Sequence, residues 1–498
     1  MKIPGLCLIA FLFLLPAVVE GQEGEIPQDI NANPVSSINF DGRMLAGLNG
    51  DSMYSVLMTQ GLENFAYQLN SNIIYTNDFE DNDNSSFISN DTGFNGEVTI
   101  TDYWKMIPEF EVSNSTYGMF DNEYYGRENK DRIKFRIKNE YKPAPARWDL
   151  DLSYARFDHK LEESDSAMAL PEIDDTFYTS RGTLGMEYVW SASNKAGFRL
   201  EGIKNRYPEE FEDDSFASGE FFGSFKVTEY TMLTLAPVFS WHNDGTNESY
   251  LDYCYFKGNI SSINTRYVTL ELLHEYKLVP YEPSSDIYLK KYVSIPYEVP
   301  PATVNHSEFN GELYLNFDKG QGDLAGIENF KFRIKGIFED SDNFYNYYSL
   351  PENVLTIVPI EASFINARGE LSTSFFITDH RFELEGSYDY FRYMPADKFS
   401  DIRITYRPEN VFSVNLSYSG PLFEINWENS FNGEVYVNPD SDEKLDSFVV
   451  GNLDLHIKLY RTFYIYSRIN NIYNEEYSLR DGYPEPGVQF FTGLRIII

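Results

Sequence analysis

The chain has 498 residues, and its 40 Lys and Arg against 77 Asp and Glu leave a formal charge of −37. A hydrophobic content of 42%, with 38 Tyr and 39 Phe, excludes a disordered acidic chain, which has no use for so much apolar surface. The acid excess excludes nucleic acid as a partner, because binding phosphate backbones needs a surplus of Lys and Arg.

Residues 1–21 place Lys2 ahead of an apolar run from Leu6 to Val19, the layout of a secretory signal peptide cleaved between Gly21 and Gln22. An N-terminal membrane anchor is the alternative, but the run falls short of the roughly 20 residues a spanning helix needs, and Pro16 sits near its end. Cys7 lies inside this segment, so Cys254 alone remains after cleavage and no intrachain disulfide can form. A large exported chain without disulfides suits a bacterial envelope better than a bridged secreted fold. Beyond residue 21 no apolar stretch reaches about 18 residues, which leaves a closed barrel as the way to cross a membrane. Residues 22–36 read as a short N-terminal segment and residues 37–498 as one outer-membrane barrel.

From Ile38 onward the chain is written in period two. Ile133, Phe135 and Ile137 alternate with Arg132, Lys134, Arg136 and Lys138, and Trp148, Leu150, Leu152 and Tyr154 with Asp149, Asp151 and Ser153. Further on, Phe330, Phe332 and Ile334 alternate with Lys331, Arg333 and Lys335. The pattern returns at Val449, Gly451, Leu453, Leu455, Ile457 and Leu459 against Val450, Asn452, Asp454, His456 and Lys458. Such segments are half-buried strands. A soluble propeller would alternate too, but it should repeat every roughly 40 to 50 residues, and no such repeat is present. The expected fold is all-β: a transmembrane antiparallel up-and-down barrel of about 22 strands with long acidic outer loops.

A base facing hydrocarbon costs roughly 2–4 kcal/mol near the midplane. Arg132, Lys134, Arg136, Lys138, Lys331, Arg333 and Lys335 are therefore expected to face the lumen, with Asp454, His456 and Lys458, paired to acids such as Asp149, Asp151 and Asp454. Aromatic residues gather near strand ends, at Tyr154 and Phe157, at Tyr388, Tyr390 and Phe391, and at Tyr464 and Tyr466. They read as girdles at the membrane interfaces.

Acids gather in connections: Asp78, Glu80, Asp81 and Asp83; Glu162, Glu163, Asp165, Glu172, Asp174 and Asp175; Glu209, Glu210, Glu212, Asp213 and Asp214. Solvation and mutual repulsion account for such clusters, with divalent-cation binding as the functional alternative. Segments 79–93, 159–175, 206–216 and 433–445 are the candidates to fold inward and close the barrel. Toward the C-terminus tight links at Ser419-Gly420-Pro421 and Tyr460-Arg461 alternate with long ones at 432–445 and 474–486, as a membrane barrel requires. The link at Pro408-Glu409 breaks that alternation.

The six histidines have no close metal-ligand spacing, and no nucleophile elbow, phosphate-binding loop or His-Glu-x-x-His run is present. No enzyme activity, cofactor or metal site is expected.

The last residues carry a family resemblance. Ser447 to Tyr460, then Ile469-Asn470-Asn471-Ile472-Tyr473-Asn474-Glu475-Glu476-Tyr477, then Gly482-Tyr483-Pro484-Glu485-Pro486-Gly487 with Phe490-Phe491-Thr492-Gly493-Leu494, resemble the last three strands of TonB-dependent outer-membrane receptors. Val488 stands where the family has Arg, and Ile498 where it has a terminal aromatic. The resemblance implies that Phe490, Gly493, Leu494 and Ile498 serve as the barrel-assembly signal, read by the barrel-assembly machinery. The family's N-terminal plug has no room before Ile38. The expectation is thus a plugless receptor-like barrel, delivered to the bacterial outer membrane by Sec-type export and surrounded by outer-membrane lipid. It admits or transports a solute, with its lumen filled by its own connections or by a separate plug or periplasmic partner. A general porin, or a non-transporting surface barrel whose loops bind a partner, is the alternative.

Overall fold

The computed structural model describes residues 38–47, 50–62, 64–76, 86–118, 125–163, 173–191, 194–208, 213–229, 231–243, 253–262, 267–281, 301–317, 325–349 and 355–498. The signal segment 1–21, the segment 22–36, the acids at 78–83 and the acids Asp165, Glu172, Glu209, Glu210 and Glu212 lie outside the described residues.

The alternating segments pair in sequence order into one sheet of 22 strands, each antiparallel to its neighbours. The sheet closes on itself. Its first strand, Ile38–Gly47, pairs with its last, Gln489–Ile497, in a register running from Asp41 opposite Ile497 to Gly47 opposite Phe491. Beyond that ladder Phe40 and Ile498 exchange both backbone hydrogen bonds at 2.8 Å. Closure removes the two open edges that a sheet of this width would otherwise expose. The expected up-and-down barrel of about 22 strands is the observed architecture.

Links at one rim are tight. Asp102 and Tyr103 join Phe87–Thr101 to Trp104–Gly118, Thr378 and Asp379 join Leu355–Ile377 to His380–Pro395, and Arg461 and Thr462 join Phe448–Tyr460 to Phe463–Asn470. At the opposite rim the intervals include 280–301, 396–409, 433–447 and 471–488. The alternation holds through Pro408-Glu409 as well, a correction to the short link expected there. Strand His380–Pro395 ends early, and 396–409 is a long connection with a 3-10 turn at Asp397–Phe399. Ile404 and Thr405 are buried there by tertiary packing, with an isolated bridge from Thr405 to Tyr436 in place of a sheet ladder.

Several expected connections are shorter than their acidity suggested, because strands run on into them. Asp174 and Asp175 lie in Ile173–Ser191, opposite Lys160 and His159, and Asp214 begins Asp214–Lys226. Residues 87–93 and 159–163 are likewise strand. Ala325–Ser349, at 25 residues, and Leu355–Ile377, at 23, are the longest strands.

One sheet face is apolar and open. Ile133, Phe135, Leu150, Leu152, Leu184, Leu200, Phe332, Ile334, Leu416 and Leu494 each leave more than a third of their surface exposed on it. At the tight-turn rim it ends in Trp104, Tyr141, Trp148, Tyr188, Trp190 and Phe463, all similarly exposed. Four aromatics expected in such girdles, Phe157, Phe391, Tyr464 and Tyr466, lie on the other face. Phe157 and Tyr466 are 0% and 2% exposed, in buried clusters on the opposite face. Each stands an odd number of residues from its exposed neighbours Tyr154 and Phe463, and period two turns it inward.

Candidate functional site

The opposite face carries paired charge. From Trp104–Gly118 through Tyr125–Tyr141 to Ala146–Glu163 the registers set acids beside bases. Arg132 bonds Glu111, and Arg136 bonds Asp151 at 2.8 Å with Glu109 at 3.3 Å on its other side. Lys138 meets Glu140 at 2.6 Å. Lys134 makes no ion pair among the described residues and lines a small polar hollow with Asn70, Asn95, Glu109 and Glu111. A second ladder runs over Ala302–Asn316, Ala325–Ser349 and Leu355–Ile377. There Lys331 and Arg333 share Glu312 at 3.3 and 2.7 Å, Arg333 also reaches Glu370 at 3.2 Å, and Lys335 meets Glu308 at 3.1 Å.

Of the acids named from sequence, Asp151 takes the expected part; Asp454 meets none of the expected bases but accepts the Tyr466 hydroxyl at 2.5 Å and lies 3.8 Å from Arg468. Asp149 instead packs over Gly185. Glu109, Glu111, Glu308, Glu312 and Glu370 were not foreseen, since their partnership depends on a register that one strand's pattern does not reveal. Lys458 stands opposite Tyr464. His456 joins the seam: its Nδ1 is 2.5 Å from Arg495 Nη1 and 3.4 Å from Glu424, while Arg495 holds Asp41 at 2.8 Å across the first and last strands. Arg495 is 11% exposed and Asp41 6%, so this closing pair is shielded. Gly493 sits in the same seam, where a Cβ would lie 1.8 Å from the Met44 carbonyl oxygen. Phe490 pairs with Ile469, Leu494 is exposed on the apolar face, and Ile498 makes the final backbone bonds to Phe40.

Toward the long-connection rim the charged face becomes buried. Glu128, Lys130 and His159 have no exposed side-chain surface, with Glu128 3.1 Å from the Lys130 ammonium and 3.0 Å from His159 Nε2. A buried cluster joins Phe157 and Phe177 to Tyr281, Tyr347, Leu355 and Ile357, with Tyr207, Tyr345 and Tyr406 packed on it. Its members come from strands far apart around the ring.

The connections supply the rest of this cover. Asn346 donates to the Arg403 carbonyl at 2.9 Å and accepts the Thr405 amide at 2.9 Å. The Thr405 hydroxyl lies 2.6 Å from the Tyr347 carbonyl and accepts its amide at 3.2 Å. Arg407 donates to the Tyr345 carbonyl at 2.9 Å and stacks 4.2 Å over Phe344. Segment 396–409 thus lies bound to the wall, and through Arg403 N to Pro439 O and Tyr406 N to Tyr436 O, both 2.9 Å, it holds 433–447. Burial pushes the Tyr406 phenol up to about 12 against the opposing pull of Arg480. Of the four expected closing segments, 433–445 joins this cover, and 206–216 contributes Tyr207. The described parts of 79–93 and 159–175 are strand.

The resemblance motif has its own structural task. Asn471, at φ 49°, donates to the carbonyls of Glu475 at 2.8 Å and Pro486 at 3.2 Å and accepts the Glu475 amide at 3.0 Å. Tyr473 lies over Gly451 and donates to Asn429 at 2.5 Å.

Among the described residues no group of three or more His, Cys, Asp or Glu is placed to hold a metal ion. No family model and no curated protein sequence matches the chain. Solved structures do. The copper transporter OprC superposes with a TM-score of 0.64 at 14% identity, covering 93% of this chain and 81% of that one. The siderophore receptor PiuA from Acinetobacter baumannii gives 0.67 at 9% identity over 93% and 81%, and the FrpB iron transporter from Neisseria meningitidis 0.66 at 10% over 95% and 83%. The chain has the barrel fold of TonB-dependent receptors. At these identities the likeness is one of fold.

Proposed function

We propose that the barrel spans the bacterial outer membrane and admits a solute through its lumen, with the long-connection rim closed at rest by its own connections. The observation that carries this reading is the division of one closed sheet into an exposed apolar face and an ion-paired face. A water-soluble protein does not leave so large an apolar surface open, whereas hydrocarbon favours it. On Ala325–Ser349 the apolar face runs from Phe330 through Phe338 and gives way to Asp340. That stretch matches the about 9–11 residues a tilted strand needs to cross a bilayer. The remainder of the strand would rise beyond the membrane.

Lumen placement of Arg132, Lys134, Arg136, Lys138, Lys331, Arg333, Lys335, Asp454, His456 and Lys458 is part of the proposal. Phe157 and Tyr347 lie in one buried cluster though their strands are not neighbours, and strands far apart in a ring meet through its interior. Asp151 shares Phe157's face by period two, which supports the interior for its partner Arg136 as well.

The solved relatives by fold are named for copper, a siderophore and iron, so the shared architecture favours transport over catalysis and leaves the solute open. Cleavage after Gly21, Sec-type export, and recognition of Phe490, Gly493, Leu494 and Ile498 by the barrel-assembly machinery belong to the same proposal. Planar-bilayer recording tests it. The full chain should conduct weakly, and shortening 396–409 together with 433–447 should open a large steady conductance. Silence from both proteins, each shown to be inserted, would exclude the channel. The interlock of 396–409 with the wall also favours a second reading, a sealed surface barrel whose connections bind a partner; there the same deletion abolishes partner binding and leaves permeability unchanged.

A further inference from the structure

A basic patch stands on the outer side of the sheet at the upper edge of the apolar face. Arg156, Tyr178 and Arg206 lie directly opposite one another on three successive strands, and Lys204 stands one row below, opposite Ser180. Directly opposed residues on neighbouring strands have side chains about 5 Å apart, so Arg156 and Arg206 flank Tyr178 about 10 Å from each other, with Lys204 on the same strand as Arg206, within reach of one bound headgroup for side chains of this length. Their side chains are 47%, 65% and 49% exposed. Asp158 answers Arg156 at 3.0 Å, while among the described residues Asp213 serves Lys204 at 3.4 Å and Arg206 at 3.9 Å. Among the described residues these three bases thus meet two acids, Asp158 and Asp213.

The next row down is bounded by Leu152, whose Cδ2 lies 3.4 Å from where a Cβ on Gly182 would stand, and is open over Gly202. Gly182 and Gly202 lie opposite each other, and a Cβ on Gly202 would meet nothing nearer than a backbone oxygen at 4.0 Å. Below them Leu184 and Leu200 resume the apolar face. Cations at the interface, an aromatic platform from Tyr178 stacked on Tyr154 at 6.2 Å, and an apolar hollow beneath match a phosphate attached to acyl chains.

Resting on the membrane-spanning reading, we propose that this patch binds the phosphate headgroup of an anionic lipid of the surrounding leaflet, with an acyl chain lying in the hollow over Gly202. The test is native mass spectrometry of the full chain released from mixed micelles of phosphatidylglycerol and phosphatidylcholine. Wild type should retain phosphatidylglycerol preferentially, and the triple variant Arg156→Gln, Lys204→Gln, Arg206→Gln should retain about tenfold less, given the usual strength of interfacial bases and their partial neutralisation here. Gly202→Phe, which keeps every charge and fills the hollow, should also lower retention. Full displacement by millimolar inorganic phosphate with no effect of Gly202→Phe would mean an adventitious anion site and would overturn the proposal. Equal retention by wild type and triple variant overturns it alone, leaving the membrane reading standing. A chain that takes up neither lipid overturns both.

Discussion

Replacing Thr405 by Val tests whether 396–409 is anchored to the wall by the contacts described. The change keeps the shape of a side chain with no exposed surface and removes a hydroxyl that serves both the Tyr347 carbonyl and the Tyr347 amide. Asn346 would still accept the Thr405 backbone amide, so the segment would retain its path. Two buried backbone groups left without a partner cost about 1–2 kcal/mol each, or about 2–4 kcal/mol together. That corresponds to an opening equilibrium raised about 30-fold to 700-fold. Ile404, 7% exposed and next in sequence, is the reporter. In a Cys254→Ser background, Ile404→Cys should react with a maleimide by that factor faster when Thr405 is Val, and Thr405→Ser should restore the slow rate. A labelling rate unchanged by Thr405→Val would refute the claim that this hydroxyl holds the cover closed.

Other consequences can be checked on the same barrel. Gly493→Ala sets a Cβ against the Met44 carbonyl and should prevent seam closure, seen as loss of the heat-modifiable gel band, whereas Thr492→Ala should fold normally. Arg495→Met leaves a shielded Asp41 without its main partner and should lower stability by about 3 kcal/mol, read from the denaturant midpoint. Asn471→Ala should destabilise the last connection more than Asn471→Gly by about 1 kcal/mol, because both lose the same hydrogen bonds but only Ala strains at positive φ; limited proteolysis of 471–488 reports this. Burial raises the phenols of Tyr406 and Tyr477 to about 12. The unfolded phenol ionises near pH 10, so their contribution is whole below pH 10 and is lost as pH rises toward 12. Ile404→Cys labelling should accelerate across that window, and less so with Tyr406→Phe.

Legibility in the sequence followed the physics of each layer. Ile133 to Ile137 and Phe330 to Ile334 announced strands because one face is apolar and the other carries charge, and that contrast is what period two records. Beyond the apolar belt the contrast fades. At Asp174, Asp175 and Asp214 the outer face is polar as well, so strand reads as acidic loop. At Pro408-Glu409 the link looks short because only its end is legible; the connection runs over 396–409, and its packing against the wall is set by contacts that one segment's pattern does not record. The bases of the charged face could be picked out singly, but Glu109, Glu111 and Glu312 could not be assigned to them before the registers were known. The C-terminal motif was legible because Gly493, Asn471 and Tyr473 each occupy a place that few other residues fit.

The contact between Phe40 and Ile498 joins residues at nearly opposite ends of the described chain. No shorter stretch of polypeptide can complete the ring. From the moment the first strands pair until the last residue arrives, the growing sheet carries two bare edges, each able to pair with a stranger. Because closure must wait for the most distant contact, it is also the slowest to be found unaided. The barrel's stability is therefore cooperative in an unusually strict sense: its first and last strands are each other's sole protection, and a chain that stops one strand short is an open sheet with no route to a smaller closed one of the same register.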